Sequence, residues 1–295
     1  MRKTITLALL LLSLALLLAA CGQKPAENGG TQGSGEFTQP TTEQPTAQPP
    51  EQASDGTLLD RIKASGQLRL GTSADYPPYE FHKLVNGQDQ IIGFDIEIAK
   101  AIAADLGVEL VITDMSFEGL LTALQSGSVD MVTAGMTPTP ERAQAVDFSD
   151  VYYTAVQKII VRAEDQGTYK AAADLAGKQV GAQQGAIQEG VVTKQLPDAT
   201  PRLLPRLPDL ILDLKAGNIE ALVVEEPVAK AYIGSNPELV ISDIQLAQDE
   251  AGSAIALPKG SPELVEAING TLQRLAQDGS IDKFVTDATN AMDSQ

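Results

Sequence analysis

The alternation of strand-like and helix-like segments after residue 58 limits the possible folds most strongly. Apolar stretches at 109–113 and 129–135 are typical of strands, whereas 93–108 and 117–127 have apolar residues at helical spacing and end at glycine. This order of elements, with short loops between them, predicts an α/β fold with mainly parallel sheets. Since the region is longer than one doubly wound sheet needs, we expect two lobes.

The first 21 residues, MRKTITLALLLLSLALLLAAC, have the pattern of an export signal. Arg2 and Lys3 precede an apolar core, and small residues precede Cys21. The ending Leu-Ala-Ala-Cys resembles a bacterial lipobox, in which the cysteine is lipidated and becomes the new N-terminus. An ordinary cleaved signal with an incidental cysteine is the alternative. Lipidation would place the domain outside the cytoplasm, anchored to the outer face of the cell membrane, or in the periplasm.

Residues 22–57 have the composition of a disordered tether. The segment is rich in Gly, Pro, Gln, Thr and Ser and almost free of aliphatic residues, so it cannot bury a core. Beyond residue 58, no apolar run approaches the roughly 20 residues that a membrane-spanning helix needs.

Composition excludes several classes of function. A formal net charge of −18 disfavours nucleic acid as a partner, because phosphates are repelled. A single cysteine allows no internal disulfide, and a single histidine, His82, excludes zinc sites with two histidines. We expect no metal and no cofactor, and we place His82 in a surface turn.

The loop GMTPTPER (135–142) predicts an anion-binding site. It follows a predicted strand and precedes a predicted helix capped by Thr139, so it lies where open α/β sheets bind ligands. Gly135 allows close approach to the backbone, Thr137 offers a hydroxyl, and Arg142 can hold a carboxylate with two parallel bonds. A surface arginine paired with Glu141 or Asp147 explains the same residues, and local chemistry leaves both readings open.

Several motifs together resemble one known family. GFDIEIAKAIAADL (93–106), TSADYPPYEF (72–81), the long stretch 117–153, VGAQQGAIQEG (180–190) and ALVVEEPVAKAYI (221–233) are similar, in order, to the family 3 extracellular solute-binding proteins. These are the receptors for polar amino acids in ABC importers. The resemblance covers essentially all of 58–290.

The resemblance implies a type II periplasmic-binding-protein fold. Two α/β lobes are then joined by a two-strand hinge and close on one amino acid in the cleft between them. In this chain the first lobe corresponds to 58–155 with 250–291, and the second to 156–249. The implied partners are a free amino acid, an ABC permease and its ATPase subunits, and the membrane through the lipid anchor. The protein is expected to be a monomer and not an enzyme.

The family's ligand-binding positions can be transferred residue by residue. Arg142 with Thr137 corresponds to the clamp for the ligand α-carboxylate, and the Gly135 carbonyl to an acceptor for the α-amine. Glu225 stands where the family usually has an aspartate that pairs with this amine, so the longer side chain must retract or act through water. The complete predicted set is Ser73, Tyr76, Phe117, Ala134, Gly135, Thr137, Arg142, Gln183, Ile187, Gln188 and Glu225.

Ligand identity follows less directly from the resemblance. Ser73 stands where histidine and lysine receptors carry an aspartate, which favours a neutral ligand, whereas two aromatic rings and acidic surroundings suit a guanidinium. We expect arginine or glutamine. A cyclohexadienyl dehydratase, an enzyme with this fold, and a lipid-anchored amino acid sensor are the alternatives.

Overall fold

The computed structural model describes residues 56–248 and 252–293. The predictions for the export signal, for Cys21 and for residues 22–55 of the tether lie outside these residues. The described helices are α1 (Leu58–Ser65), α2 (Phe94–Leu106), α3 (Leu120–Gln125), α4 (Arg142–Ala145), α5 (Gln188–Gln195), α6 (Leu207–Ala216), α7 (Glu226–Ser235), α8 (Pro262–Gln277) and α9 (Ser280–Asp293).

Short strands form four sheets. They are β1 (Gln67–Thr72), β2 (Asp75–Tyr76), β3 (Glu80–Val85), β4 (Gln88–Ile92), β5 (Glu109–Asp114), β6 (Met131–Val132), β7 (Val146–Phe148), β8 (Tyr153–Thr154), β9 (Gln157–Arg162), β10 (Gln179–Gln183), β11 (Thr200–Leu204), β12 (Ala221–Glu225), β13 (Leu239–Ile241), β14 (Gly252–Ser253) and β15 (Ala256–Pro258). Two sheets have five strands each and form the centres of two lobes. The other two are a small three-stranded sheet, β2-β3-β4, and a two-stranded pair.

The two large sheets follow the same plan. The first has the order β5-β1-β6-β15-β7, and the second has the order β11-β10-β12-β9-β13. In the first sheet only β15 runs against its neighbours, and in the second sheet only β9 does. The prediction of mainly parallel sheets is therefore confirmed, with one reversed strand in each.

Strands β8 and β14 form an antiparallel pair between the two large sheets. Thr154 pairs with Gly252, and Tyr153 pairs with Ser253. β8 leads into β9 of the second sheet, whereas β14 precedes β15 of the first. The chain thus crosses twice between the lobes, which is the predicted two-strand hinge; the exact lobe boundaries stay a prediction.

Alternating side chains bury both faces of the second sheet. Ile159 and Val161 of β9 pack into one apolar cluster, and Ile160 between them packs into another that extends into the first lobe. This period of two is what a strand imposes on a sheet covered on both faces. The sheet is therefore covered by apolar packing on both faces.

Three predicted local features differ from the structure. The strand predicted over 129–135 is only β6, because Gly135, at φ +54, turns the chain out of extended geometry. The helix after the Thr-Pro-Thr-Pro loop is the single turn α4, although Thr139 Oγ1 does accept a bond of 3.2 Å from the Arg142 amide. His82 lies in β3 rather than in a turn, and its Nδ1 is 2.8 Å from Asp89 on β4.

No helix among residues 56–248 and 252–293 has the length and apolar character needed to cross a membrane.

Candidate ligand-binding cleft

The predicted ligand-binding residues follow strand ends in both lobes. Gly135 and Thr137 lie in the loop after β6, Gln183 ends β10, and Glu225 ends β12. Parallel strands present their carboxyl ends at one edge of a sheet, where side chains and loops can meet a ligand. The two edges face each other, because the structure joins these loops by bonds between the lobes.

One narrow cavity lies where the two edges meet. Its volume is about 10 Å³, room for about one water molecule. An amino acid needs far more space, so entry requires the lobes to separate. The lining residues are Tyr76, Phe117, Ala134, Gly135, Thr137, Arg142, Gln183, Ala186, Ile187, Gln188 and Glu225.

Ser73 is the predicted residue that does not line this cavity. Its side chain is buried, and its hydroxyl donates to Asp75 Oδ1 at 3.4 Å. Asp75 therefore holds the hydroxyl away from the lining. Ala186, which was not in the predicted set, takes part in the lining instead.

Arg142 bridges the two lobes through backbone carbonyls. Its Nη1 donates to the Thr137 carbonyl at 2.8 Å, and its Nη2 donates to the Gly185 carbonyl of the second lobe at 2.9 Å. The guanidinium also lies 5.3 Å from the centre of the Phe117 ring. Asp147, one of the two surface partners considered from the sequence, pairs with Lys259 instead. Burial lowers the pKa of Arg142 from its ordinary value, although an arginine remains charged at any physiological pH.

Glu225 lines the same cavity as Arg142, from the second lobe, and is 5 % exposed. Its carboxylate accepts a short bond from the hydroxyl of Tyr79 in the first lobe. Burial raises the pKa of Glu225 to about 7, against the opposing effect of the Tyr79 bond. The longer side chain thus reaches across the cleft to a tyrosine.

Two glutamine side chains complete the wall on the second lobe. Gln188 Nε2 donates to Gln157 Oε1 at 2.9 Å and is 3.5 Å from the Tyr76 hydroxyl. Gln183 Nε2 donates to the Pro205 carbonyl at 3.2 Å and to Asp75 Oδ1 at 3.3 Å. Both amides can rotate to offer either a donor or an acceptor to a ligand.

A group of buried acids that was not among the predicted residues lies next to the cavity. Asp95 is fully buried and accepts from the Gly135 amide at 3.1 Å and from the Tyr152 hydroxyl at 2.8 Å. Glu80 lies beside Asp95, and its carboxyl receives no bond from a donor in the described part of the chain. Burial raises the pKa of Asp95 to about 6, and burial together with Asp95 raises that of Glu80 well above its usual range.

The signal for these acids was present in the sequence. Glu80 stands between Tyr79 and Phe81, and Asp95 stands between Phe94 and Ile96. A charged residue flanked by large apolar ones is unusual unless a partner compensates for its burial. Residues 56–248 and 252–293 contain no group of three or more His, Cys, Asp or Glu side chains that could hold a metal ion.

Comparison with known proteins places this geometry in a family. The sequence model of the bacterial extracellular solute-binding proteins, family 3, matches residues 68–288. A curated relative, the arginine-binding extracellular protein ArtP of Bacillus subtilis, is 43 % identical over 223 residues, which cover 74 % of this chain and 84 % of ArtP.

Solved structures give the same result. An amino acid ABC transporter substrate-binding protein, AbpA of Streptococcus pneumoniae, bound to L-arginine, is 44 % identical with a TM-score of 0.76, covering 79 % of this chain and 98 % of AbpA. The ancestral amino acid-binding protein AncCDT-1, a precursor of cyclohexadienyl dehydratase, is 36 % identical with a TM-score of 0.71, covering 78 % of this chain and 99 % of that one.

The matched region includes both large sheets except for Gln67 at the start of β1, and it includes the hinge pair and every residue that lines the cavity. The chain therefore belongs to the bacterial extracellular solute-binding proteins of family 3.

Proposed function

We propose that this protein binds a free cationic amino acid, with L-arginine as the first candidate, and delivers it to the permease of an ABC importer. The observation that carries the proposal is that one basic and one acidic side chain, from different lobes, line the same cavity. Arg142 comes from the first lobe and Glu225 from the second. An amino acid zwitterion has the complementary pair of charges.

The α-carboxylate is assigned to Arg142. Its present partners are two neutral backbone carbonyls, which a carboxylate can replace with stronger, charge-assisted bonds. Phe117 supports the guanidinium plane from one side. Thr137 lies next to the same position and can add its hydroxyl.

The α-ammonium is assigned to Glu225 and to the carbonyl of Gly135. Glu225 is held by a single tyrosine hydroxyl, so an ammonium can take its place or share it. Both groups line the cavity. A positive charge there also lowers the cost of ionising a carboxyl whose pKa burial has raised.

A cationic side chain is favoured by the buried acids. Asp95 and Glu80 lie behind the cavity wall, where Asp95 accepts from the amide of the lining residue Gly135 and burial raises the pKa of both acids. A cation in the cavity can act on these acids through its electric field without bonding to them, and Tyr76 offers it a ring face. The arginine-binding relatives support the same choice over glutamine.

A binding role is favoured over catalysis. The relatives named above are binding proteins, including the ancestral precursor of a dehydratase. The sole histidine, His82, is exposed on β3 and does not line the cavity. We therefore propose transport rather than cyclohexadienyl dehydratase activity, and a monomer as the working form.

Titration calorimetry with a matched pair of ligands tests the proposal. L-arginine should bind in the micromolar range or tighter, and L-citrulline, which has nearly the same shape without the charge, should bind at least about tenfold more weakly. L-lysine and L-glutamine complete the series. Absence of binding by all four would refute the proposal, and tighter binding of citrulline or glutamine would replace the cationic substrate with a neutral one.

Anchoring by Cys21 is proposed separately, since the residue lies outside the described part of the chain. Cys21→Ser should move the protein from the membrane fraction to the soluble fraction of exporting cells and leave arginine affinity unchanged. Unchanged membrane retention of the variant would remove the lipoprotein assignment.

A further inference from the structure

A set of polar contacts beside the cavity, made by residues that do not line it, also joins the two lobes. Arg206, which precedes α6 in the second lobe, donates to both oxygens of Asp114 in the first lobe, with Nη1–Oδ1 at 3.1 Å and Nη2–Oδ2 at 2.9 Å. Arg206 Nη1 is also 3.6 Å from Asp75 Oδ2. This is the two-bond geometry in which an arginine holds a carboxylate most strongly.

Two further hydrogen bonds join the lobes at the same place. The Leu207 amide, at the start of α6, donates to Asp75 Oδ2 at 3.3 Å, and the Tyr232 hydroxyl of α7 donates to the Asp75 carbonyl at 2.8 Å. Asp114 is fixed within its own lobe by the Ala74 amide at 2.9 Å. Asp114 is thus held in place by its own lobe when Arg206 of the second lobe reaches it.

None of Asp75, Asp114, Arg206 and Tyr232 lines the ligand cavity. We propose that these four residues form a closure latch, which stabilises the closed arrangement of the lobes directly and so sets ligand affinity without touching the ligand. The proposal rests on the proposed function in one respect, since it takes lobe opening and closing as the motion that accompanies binding. In an open form the Arg206–Asp114 and Tyr232–Asp75 bonds cannot be made, because their partners belong to different lobes.

The latch changes affinity by changing the fraction of the protein that is in the closed form. A ligand that completes its contacts only in the closed form has an apparent affinity that scales with the closed fraction. Removing contacts that favour closure lowers that fraction and weakens every ligand alike. A residue that contacts the ligand would instead alter the ranking of ligands.

The experiment is a double-mutant cycle of Arg206→Gln and Asp114→Asn, with Tyr232→Phe as a milder third variant. Arg206→Gln and Asp114→Asn should each weaken arginine binding about fivefold, the factor that corresponds to ~1 kcal/mol for a partly exposed charge pair, and Tyr232→Phe should weaken it less. The Arg206→Gln/Asp114→Asn double variant should be little weaker than either single variant, because both remove one interaction. Arg202→Gln is the matched control, since Arg202 pairs with Asp213 at 3.2 Å within the second lobe alone; its affinity should equal that of the wild type.

Single-molecule energy transfer between one dye on each lobe supplies a readout that needs no ligand. The closed fraction of the ligand-free protein should fall in the latch variants and stay unchanged in Arg202→Gln. Wild-type affinity and an unchanged closed fraction in all three latch variants would overturn the latch. Failure of the proposed function looks different: the wild type then binds no amino acid, while the closed fraction still responds to the latch variants.

Discussion

The two lobes contribute to the cavity in different ways. The first lobe supplies the guanidinium of Arg142 and the rings of Tyr76 and Phe117. The second lobe supplies amides and one acid, from Gln183, Gln188 and Glu225. The first lobe also has the buried acids Asp95 and Glu80 behind its side of the cavity.

This difference indicates which parts of the ligand each lobe contacts. On the proposed assignment the carboxylate clamp lies in the first lobe, so we expect that lobe to hold and orient the ligand first. Glu225 and the two glutamines come within reach only when the lobes approach. We therefore expect changes in the first lobe to abolish binding and changes in the second lobe to weaken binding and closure together.

Removing the clamp should have the largest effect. Arg142→Ala should weaken arginine binding more than about 100-fold, because truncating a buried charge pair costs about 3–5 kcal/mol. The melting temperature should change by only about 2–4 °C, since Arg142 is half-buried and bonds to neutral carbonyls. Calorimetry and thermal unfolding measure the two quantities. Affinity within about threefold of the wild type, under ~1 kcal/mol, would rule out the clamp.

Removing the charge on the second lobe should have the next largest effect. Glu225→Gln keeps the shape and should weaken arginine binding by about 2–3 kcal/mol. Because Arg142 still holds the carboxylate, the saturated variant should remain more open than the saturated wild type, as measured by small-angle scattering. Glu226→Gln is the control, since Glu226 pairs with the exposed Lys230 at 2.6 Å. If saturated Glu225→Gln closed fully, the assignment of ligand holding to the first lobe and of closure to the second would be wrong.

Acidification should weaken binding of arginine. Burial raises the pKa of Glu225 to about 7, so below that pH the ligand ammonium must displace a proton from this carboxyl. Affinity should therefore fall about tenfold between pH 8 and pH 6, and binding should release protons in that window. Calorimetry in two buffers of different ionisation enthalpy measures both effects. If the affinity does not change from pH 8 to pH 6, or changes as steeply in Glu225→Gln, then Glu225 is not the partner of the ligand ammonium.

The smallest effect is expected at Ser73. The hydroxyl donates to Asp75 and lies away from the cavity lining, so Ser73→Ala should change arginine affinity by less than about twofold. Calorimetry measures the arginine affinity of Ser73→Ala and of Arg142→Ala. The two variants compare a first-lobe residue that does not line the cavity with one that does. A loss of tenfold or more would return Ser73 to the ligand-contacting set.

Much of the site could be predicted from the sequence because its residues sit in local patterns. Most of the predicted residues that line the cavity lie in the loop 135–142, at the end of β10 and at the end of β12, each within a few positions of a strand end. Strand and helix periodicity is likewise a local property, so the predicted helix 93–108 appears as α2. Order along the chain and family resemblance then brought together all the predicted lining residues except Ser73.

The tertiary structure decided what depends on distant parts of the chain. Arg142 meets the Gly185 carbonyl, Tyr79 meets Glu225, and Arg206 meets Asp114, each pair lying on different lobes. No local pattern encodes such a pairing, because hinge geometry and packing set which side chains meet. The burial of Asp95 and Glu80, and the pKa shifts that follow, have the same origin. The sequence alone thus determined the family, the α/β order and the composition of the cleft, whereas packing between lobes determined which groups are charged, paired and able to hold the protein closed.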